Sequence, residues 1–528
     1  MITFIPRHFS TSPSPNYRTF VSWDGGFRLF VRRRSIFRLA AVVICVALVT
    51  GSHRSVAQST TPDSHSADTQ SDKPREGGQP PAVGGVNTGG AHAAVLDKEH
   101  RPITAGGFVK DGPVLFEDIA RQAGLTKWKH VMGTPEKKFI IEANGSGVGL
   151  IDTNNDGWLD IYLVNGSTYD AEAGKATPPK AALFHNNHDG TFTNVAEKAG
   201  VTNDRWGVGV AIADYDNDGW PDIYVAVDSE PSILFHNNKD GTFTDVSVMA
   251  GCAYNEDGQE QAGMGVGVGD YDCDGWLDIF KTNFTDDTPD LYHNNGDGTF
   301  TDVTFVAGLG VNTQYVCWGA GFMDYDNDGW TDIFHVTGHV YPEIETYHLD
   351  ATFKSPRIVY RNLGNGKFKD VSAQMGPGVA ERFSSRGCAF GDYDNDGDLD
   401  VLVLNMNDRF SLLRNEGGNK NNWIKLKLIG THCNRTAVGA RARVVTGKHA
   451  QIDEVHCGTS VMSQSDLRLH FGLGDAKEID SIEIRWPTTQ KTEKFTKIEA
   501  NQILTIKEGS GIIKAERLEK PGKLARLK

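Results

Sequence analysis

The sequence predicts an all-β fold, a β-propeller of five countable blades followed by a small β-sandwich-like C-terminal domain. Three observations carry that reading. First, the pattern Asp-x-Asp/Asn-x-Asp-Gly-x-x-Asp occurs five times, opening at Asp152, Asp214, Asp270, Asp324 and Asp392, with spacings of 62, 56, 54 and 68 residues. A glycine stands five residues before each opening aspartate (Gly147, Gly209, Gly265, Gly319, Gly387), and a strand-like run such as Asp222-Ile223-Tyr224-Val225-Ala226-Val227 follows each loop. Second, the motif Leu183-Phe184-His185-Asn186-Asn187-His188-Asp189-Gly190-Thr191-Phe192-Thr193-Asn194-Val195 recurs at 234–246 and 291–303, and more loosely at 359–371. Asp-Gly or Asn-Gly between two apolar runs signals a hairpin, because both central residues tolerate positive φ. Each repeat thus holds four short antiparallel strands, the content of a propeller blade.

The third observation separates a ring from an open solenoid. Repeat five keeps Leu412-Leu413-Arg414-Asn415 but lacks the final Gly-Thr-Phe-x-Asp-Val strand, and an orphan copy of that region, Phe116-Glu117-Asp118-Ile119-Ala120-Arg121-Gln122-Ala123-Gly124, precedes repeat one. A ring in which the N-terminal strand completes the last blade accounts for both and removes exposed sheet edges. Five blades are countable, and the count leaves room for a sixth or seventh.

The flanking segments read differently. Arg32-Arg33-Arg34 precedes an apolar run from Leu39 to Val49, and Ser55-Val56-Ala57 fits a small-x-small cleavage site. That run is too short for a comfortable span, so residues 1–57 read as a signal peptide, with an uncleaved anchor as the rival. The expectation is export to an extracellular or periplasmic location, with no stable membrane span after cleavage. Residues 58–107, rich in Ser, Thr, Pro, Asp and Gly, read as a disordered linker. The propeller is assigned to 112–418, the C-terminal domain to 419–510 and a frayed basic tail to 511–528.

Charge narrows the partners. The chain has 528 residues, 53 Lys and Arg against 68 Asp and Glu, a net charge of −15, and residues 1–57 hold eight Arg and a single acid. The rest carries 45 basic and 67 acidic residues, a net −22. Such a surface repels phosphate backbones, which excludes nucleic acid and suits a cation binder.

The repeated loops supply that binder. Ca²⁺ takes six to eight hard oxygens in a flexible shell, and alternate carboxylates around a glycine turn converge on one point. The expected ligands are Asp152, Asn154, Asp156 and Asp160; Asp214, Asp216, Asp218 and Asp222; Asp270, Asp272, Asp274 and Asp278; Asp324, Asp326, Asp328 and Asp332; and Asp392, Asp394, Asp396 and Asp400. An EF-hand loop needs an acid at position 12, where Leu163, Val225, Lys281, His335 and Val403 stand instead. The closing carboxylate comes from position 9. Without metal, the crowded carboxylates raise one another's pKa.

These repeats resemble the FG-GAP/VCBS repeats of integrin-type propellers. Asn422-Trp423-Ile424-Lys425-Leu426, Asn434-Arg435-Thr436-Ala437-Val438-Gly439-Ala440-Arg441, Ser463-Gln464-Ser465, Leu469-His470-Phe471-Gly472-Leu473-Gly474 and Ile484-Arg485-Trp486-Pro487 resemble the ASPIC/UnbV domain. Together they look like the cartilage-acidic-protein-type family over about residues 114–508. The resemblance implies calcium-loaded blades and an extracellular setting, and no particular activity. Repeat one departs from it at Thr153 and Asn154, which makes site one the expected weakest.

Six cysteines follow the leader: Cys252, Cys273, Cys317, Cys388, Cys433 and Cys457. Export favours disulfides, and Cys433–Cys457, the one pair within a single small domain, is the expected bridge, ahead of Cys252–Cys273. Arg435, Arg441 and Arg443 are expected to pair with the acidic propeller or to solvate a strand face.

A catalytic constellation is not found: GxSxG, HExxH and the Walker loop are absent. His185, His236 and His293 repeat by blade, which argues for structure, since one active site needs different residues converging. The long insertion Gly338 to Pro356, with His339, Tyr341, Glu343, Glu345, Tyr347 and His348, is the candidate ligand loop. The leading expectation is a secreted calcium-binding propeller acting as an adhesion or ligand-binding module for an extracellular protein or glycan. The alternative is a secreted enzyme acting on polysaccharide or a secondary metabolite in the propeller mouth.

Overall fold

A computed structural model describes residues 120–134, 139–347 and 352–517, together with a two-residue pair, β1 (Tyr17–Arg18) with β2 (Val31–Arg32). The expected cleavage near Ala57, the 58–107 linker and the Phe116–Ile119 strand lie outside the described residues.

Five successive antiparallel sheets follow the five repeats. Blade one is β3 (Val148–Ile151), β4 (Asp160–Leu163), β5 (Ala182–Asn186) and β6 (Phe192–Asn194). Blade two is β7 (Gly207–Ala213), β8 (Asp222–Val227), β9 (Ile233–Asn237) and β10 (Phe243–Asp245); blade three is β11 (Val266–Gly269), β12 (Asp278–Lys281), β13 (Asp290–Asn294) and β14 (Phe300–Asp302). Blade four is β15 (Cys317–Met323), β16 (Asp332–Thr337), β17 (Ile358–Asn362) and β18 (Phe368–Asp370). Blade five has three strands, β19 (Ser385–Gly391), β20 (Asp400–Asn405) and β21 (Ser411–Leu413).

The residue choice follows the packing. Central strands such as β8 are buried on both faces because blades stack on either side. Ile151, Tyr162, Val210, Ile212, Ile223 and Val225 form one continuous apolar layer between blades one and two. Inner strands approach so closely that side chains are excluded: a Cβ on Gly209 would lie 2.1 Å from the Met264 carbonyl, and one on Gly265 would lie 2.2 Å from that of Trp318. That is the physical reason for the glycine five residues before each loop.

The two ends of the array meet a different neighbour. Leu402, Leu404 and Leu412 of blade five are exposed, and so are Val148 and Leu150 of β3. Residues 456–466 reach both: Asp466 N–H donates to the Phe390 carbonyl in β19 (2.8 Å), and a Cβ on Gly458 would sit 2.9 Å from the Val148 carbonyl. The turn at 120–124 meets blade one as each blade's closing turn meets the next. Phe192 N–H donates to Ala123 O (2.9 Å), as Phe368 N–H does to Ala307 O (2.8 Å).

The C-terminal domain is two four-stranded sheets face to face. One has the order β25-β22-β28-β29 and the other β24-β23-β26-β27, formed by β22 (Asn422–Ile429), β23 (Arg441–Thr446), β24 (His449–Glu454), β25 (Leu469–Gly474), β26 (Glu478–Arg485), β27 (Thr492–Glu499), β28 (Gln502–Lys507) and β29 (Gly511–Glu516). Ile424, Leu426, Val444, Phe471, Ile482 and Trp486 fill the space between them. Two expectations need correcting here. Residues 511–516, assigned to a frayed tail, form the edge strand β29 on β28. The Cys433–Cys457 and Cys252–Cys273 bridges are not formed, since all six cysteines are free. Cys433 Sγ faces the Asn434 carbonyl at 3.6 Å, Cys457 turns to the Leu150 backbone, and Cys273 is held in its loop facing Gly329. Burial pushes the Cys252, Cys317 and Cys388 thiols up to about 12, keeping them protonated and inert. Among the described residues no helix is long and apolar enough to cross a membrane.

If Phe116 completes blade five, it takes the place that Phe243, Phe300 and Phe368 hold, each 5% exposed. Phe116→Ala should then cost about 3–5 kcal/mol and visibly lower the melting temperature. An unchanged melting curve would count against closure.

Candidate metal centre

Each Asp loop joins the first strand of a blade to the second, and its backbone orients its own carboxylates. In loop two Asp214 Oδ1 accepts from Asp218 N–H and Oδ2 from Gly219 N–H, both at 3.0 Å. The same pair of bonds recurs at Asp152, Asp270, Asp324 and Asp392 within 2.8–3.1 Å. Gly219, at φ +90°, lets the chain reverse beneath the carboxylate, a conformation strained for any L side chain. At the far end Asp222 Oδ1 accepts from Asn237 N–H (2.8 Å) in the hairpin, and Oδ2 from Tyr215 N–H (3.3 Å).

These bonds leave the remaining lone pairs converging. Oxygens of Asp214, Asp216 and Asp218 lie within 4.8 Å of one another, as do those of Asp270, Asp272 and Asp274 and those of Asp324, Asp326 and Asp332. Two ligands on opposite sides of a Ca²⁺ at 2.3–2.6 Å stand about 5 Å apart, so the donor set and its spread fit that ion. Asp394 Oδ1 in loop five has no hydrogen-bond partner. In loop one Asn154 Nδ2 and His188 Nε2 both engage Asp156 Oδ2, at 2.9 and 2.8 Å, so that loop has three carboxylates and one of them is already engaged.

Burial, reinforced by neighbouring carboxylates, pushes Asp152 up to about 7 and Asp270 up to about 8. Burial likewise takes Asp222, Asp278 and Asp400 up to about 7, and Asp324 and Asp332 well above the carboxylate range. Oxygens held this way either take up a proton or stand beside a cation.

Three sets of site residues were not legible as such. His185, His236 and His293 place Nδ1 3.0–3.4 Å from the closing aspartates Asp160, Asp222 and Asp278, and Arg361 occupies the same place in blade four, bonded to Asp326 and Asp328. Their recurrence before Asn-Asn was visible, but only the β-hairpin register turns them toward the loop. The hairpin asparagines bridge blades: Asn237 Nδ2 donates to Thr153 O, Asn294 to Tyr215 O, Asn362 to Tyr271 O and Asn415 to Tyr325 O, at 2.6–3.0 Å. The third set comes from the C-terminal domain, and of it only Arg441 was expected to face the propeller. Lys425 Nζ donates to Asp392 Oδ2 (2.5 Å), Arg485 to Asp214, Arg441 to Asn217, Arg468 to Asn395 (2.6 Å), His449 contacts Gly329 O (2.8 Å) and His470 contacts Asn327 (2.6 Å). Arg443, by contrast, pairs with Glu483 of its own sheet.

The C-terminal domain therefore covers the loop face, and one of its segments enters the hub. His456 Nδ1 contacts Ile212 O (3.2 Å), Ser460 pairs with Val266, and Ser460 Oγ lies 3.3 Å from Cys388 Sγ. A cavity of about 140 Å³, lined by Asp270, Asp324, Asp453, His456, Arg468 and His470 among others, lies between this segment and the inner strands. The insertion at 338–356 connects β16 to β17, at the opposite end of the blade. There His339 turns inward, its Nδ1 accepting from Tyr341 N–H (3.1 Å), while Tyr341, Glu343 and Glu345 are exposed.

Comparison with known proteins gives the same two-part layout. Residues 430–513 match the family described as ASPIC and UnbV, and residues 152–225 and 352–403 match the FG-GAP-like repeat. The chain carries FG-GAP-like repeats and an ASPIC/UnbV domain. Cartilage acidic protein 1 of Homo sapiens is 27% identical over 385 residues, covering 69% of this chain and 53% of the relative. The Mus musculus protein of that name is 27% identical over 377 residues, covering 69% and 54%. The chain spans about half the length of the curated relatives it matches. Among solved structures, an Agrocybe aegerita lectin recognising non-reducing terminal N-acetylglucosamine aligns at 17% identity and TM-score 0.26 over 51% of this chain and 81% of that one. An exotype rhamnogalacturonan lyase aligns at 13% identity and TM-score 0.29 over 68% and 62%.

The loop pKa shifts fix the sign of a pH response. Asp222, Asp270 and Asp278 sit near 7–8 when folded against 3.8 ordinarily, so folding takes up protons across that window. Metal-free stability should fall as pH rises through about 7 and recover on acidification toward 6.5. His185, His236 and His293, raised chiefly by hydrogen bonds to the closing aspartates, act in the same direction. Buried His335, pushed down to about 3, opposes this only below its ordinary value of 6.5. Melting in chelator between pH 8 and 6.5 checks it; a melting temperature that drops on acidification would contradict the assignment.

Proposed function

We propose that this chain is a secreted calcium-loaded propeller that holds an extracellular protein or glycan on the ring face opposite its C-terminal domain. The observation that carries the reading is the repeated loop, in which backbone amides fix carboxylates at calcium spacing in blade after blade. The residues that would hold the ions are the position 1, 3, 5 and 9 side chains of each loop, from Asp152 to Asp400. The ion would supply charge neutralisation and cross-link strand, loop and hairpin of one blade; no chemistry on a substrate is asked of it. Export rests on the order basic, apolar, small in residues 32–57.

Partner placement follows from connectivity. Each Asp loop lies at the end of its blade that the C-terminal domain contacts, while the insertion with exposed Tyr341, Glu343 and Glu345 lies at the other end. A catalytic site in the axial mouth finds little support, because the segment around Ser460 occupies the hub.

Extracellular calcium modules work at roughly 10⁻⁴–10⁻³ M, and a site held at tenfold excess adds about 1.4 kcal/mol. Chelation should lower the melting temperature by on the order of 10 °C, with calcium restoring it better than magnesium, which demands a rigid octahedral shell. The metal count should approach one per loop, and Asp216→Ala should reduce it by one while the fold persists. Identical melting in chelator and in millimolar calcium would refute the metal reading. For the partner, the calcium-loaded chain and a Tyr341→Ala/Glu343→Ala variant are screened against a glycan array and extracellular proteins. Equal capture by both would move the site elsewhere.

A further inference from the structure

The five loops do not stand in the same electrostatic surroundings. At loop five, Asp392 Oδ2 accepts from Gly397 N–H (3.0 Å) and from Lys425 Nζ (2.5 Å), with both side chains almost wholly buried. At loop two, Arg485 donates to Asp214 Oδ2, while Arg441, which donates to Asn217 and the Asp214 carbonyl, has its charge paired with buried Glu454 of its own domain. In both loops the opening aspartate thus carries a protein cation on Oδ2, the oxygen that also accepts the glycine N–H.

The other loops lack such a group. Arg361 at loop four and Lys239 at loop two come from hairpins and are 43% and 46% exposed, so water and salt screen them. Loop one has three carboxylates with His185 and His188. Loop three sets Asp270, Asp272, Asp274 and Asp278 against His293 alone at 3.4 Å, with no Lys or Arg ion pair among the described residues.

We propose that the C-terminal domain sets the order in which the loops take up metal: Lys425 at loop five and Arg485 at loop two are built-in counter-cations that oppose the ion, and loop three, which has none, fills first. The proposal rests on the calcium reading above and ranks its sites. Two cations sharing one desolvated carboxylate repel each other, and the repulsion is felt in both directions. A metal entering loop five or two loosens the grip of the C-terminal domain by the same factor by which that grip weakens the metal. Calcium and domain docking are therefore antagonists at these two loops and independent at loop three.

Calorimetric calcium titration of the stripped full chain tests this, with Lys425→Met, Arg485→Met and Asp278→Asn. Asp278→Asn should abolish the tightest step. Lys425→Met and Arg485→Met should each tighten one weak step, on the order of tenfold, and leave the tightest untouched, while Lys425→Arg keeps the wild-type isotherm. Because the two loops are separate, Arg485→Met carries the test should Lys425→Met fail to fold. Weak steps that stay put or weaken further in the folded Met variants would overturn the proposal, as would a tightest step that survives Asp278→Asn. A chain that takes up no calcium overturns the metal reading as well; one that takes it up in equal steps overturns only this ranking.

Discussion

Like charge crowded at one end of every blade is the constraint on which the rest of the structure depends. Three or four carboxylates within a few ångströms, half-buried, are costly unless something positive sits among them. The loop answers with backbone amides. Asp214 and its equivalents each take two, and the closing aspartates take two more from the hairpin and the loop. Those amides fix where the charges point but cannot cancel them. Charge cancellation within the chain comes from histidines and an arginine of the hairpins and from lysine and arginine of the C-terminal domain.

The same loops tie the blades together. Asn155 Nδ2 donates to Gly219 O, Asn217 to Gly275 O and Asn327 to Gly397 O, each reaching from one loop to the next at 2.9–3.1 Å. These asparagines stand at φ +53° to +60°, a region Asn tolerates better than most residues. Cys273 replaces the asparagine in loop three and makes only a 3.8 Å sulfur contact to Gly329 O. Together with the hairpin asparagines, the loops form a continuous belt, so order in one blade supports order in its neighbour.

The C-terminal domain completes both the electrostatics and the hub. Its cationic side chains lie against the belt, and its 456–466 segment sits where the glycine-bearing inner strands leave room for backbone but not for side chains. On the loop side the propeller and the sandwich thus share one contact surface.

Much of this was legible in the sequence because it repeats. Period, loop spacing and Asn-Gly or Asp-Gly turns specify strands, hairpins and loop carboxylates locally, since each depends on residues a few positions apart. The free cysteines, the strand at 511–516 and the turn of His185, His236 and His293 toward the loops were not, because each depends on what a neighbouring strand presents. Least legible of all were Lys425 and Arg485. Nothing near them in the chain marks them as partners of Asp392 and Asp214, because they meet those carboxylates across 33 and 271 positions. The sequence alone determined the blades and the acidic loops through short-range pattern; only the tertiary structure decided which charges face them, because an ion pair between domains is a property of how surfaces meet.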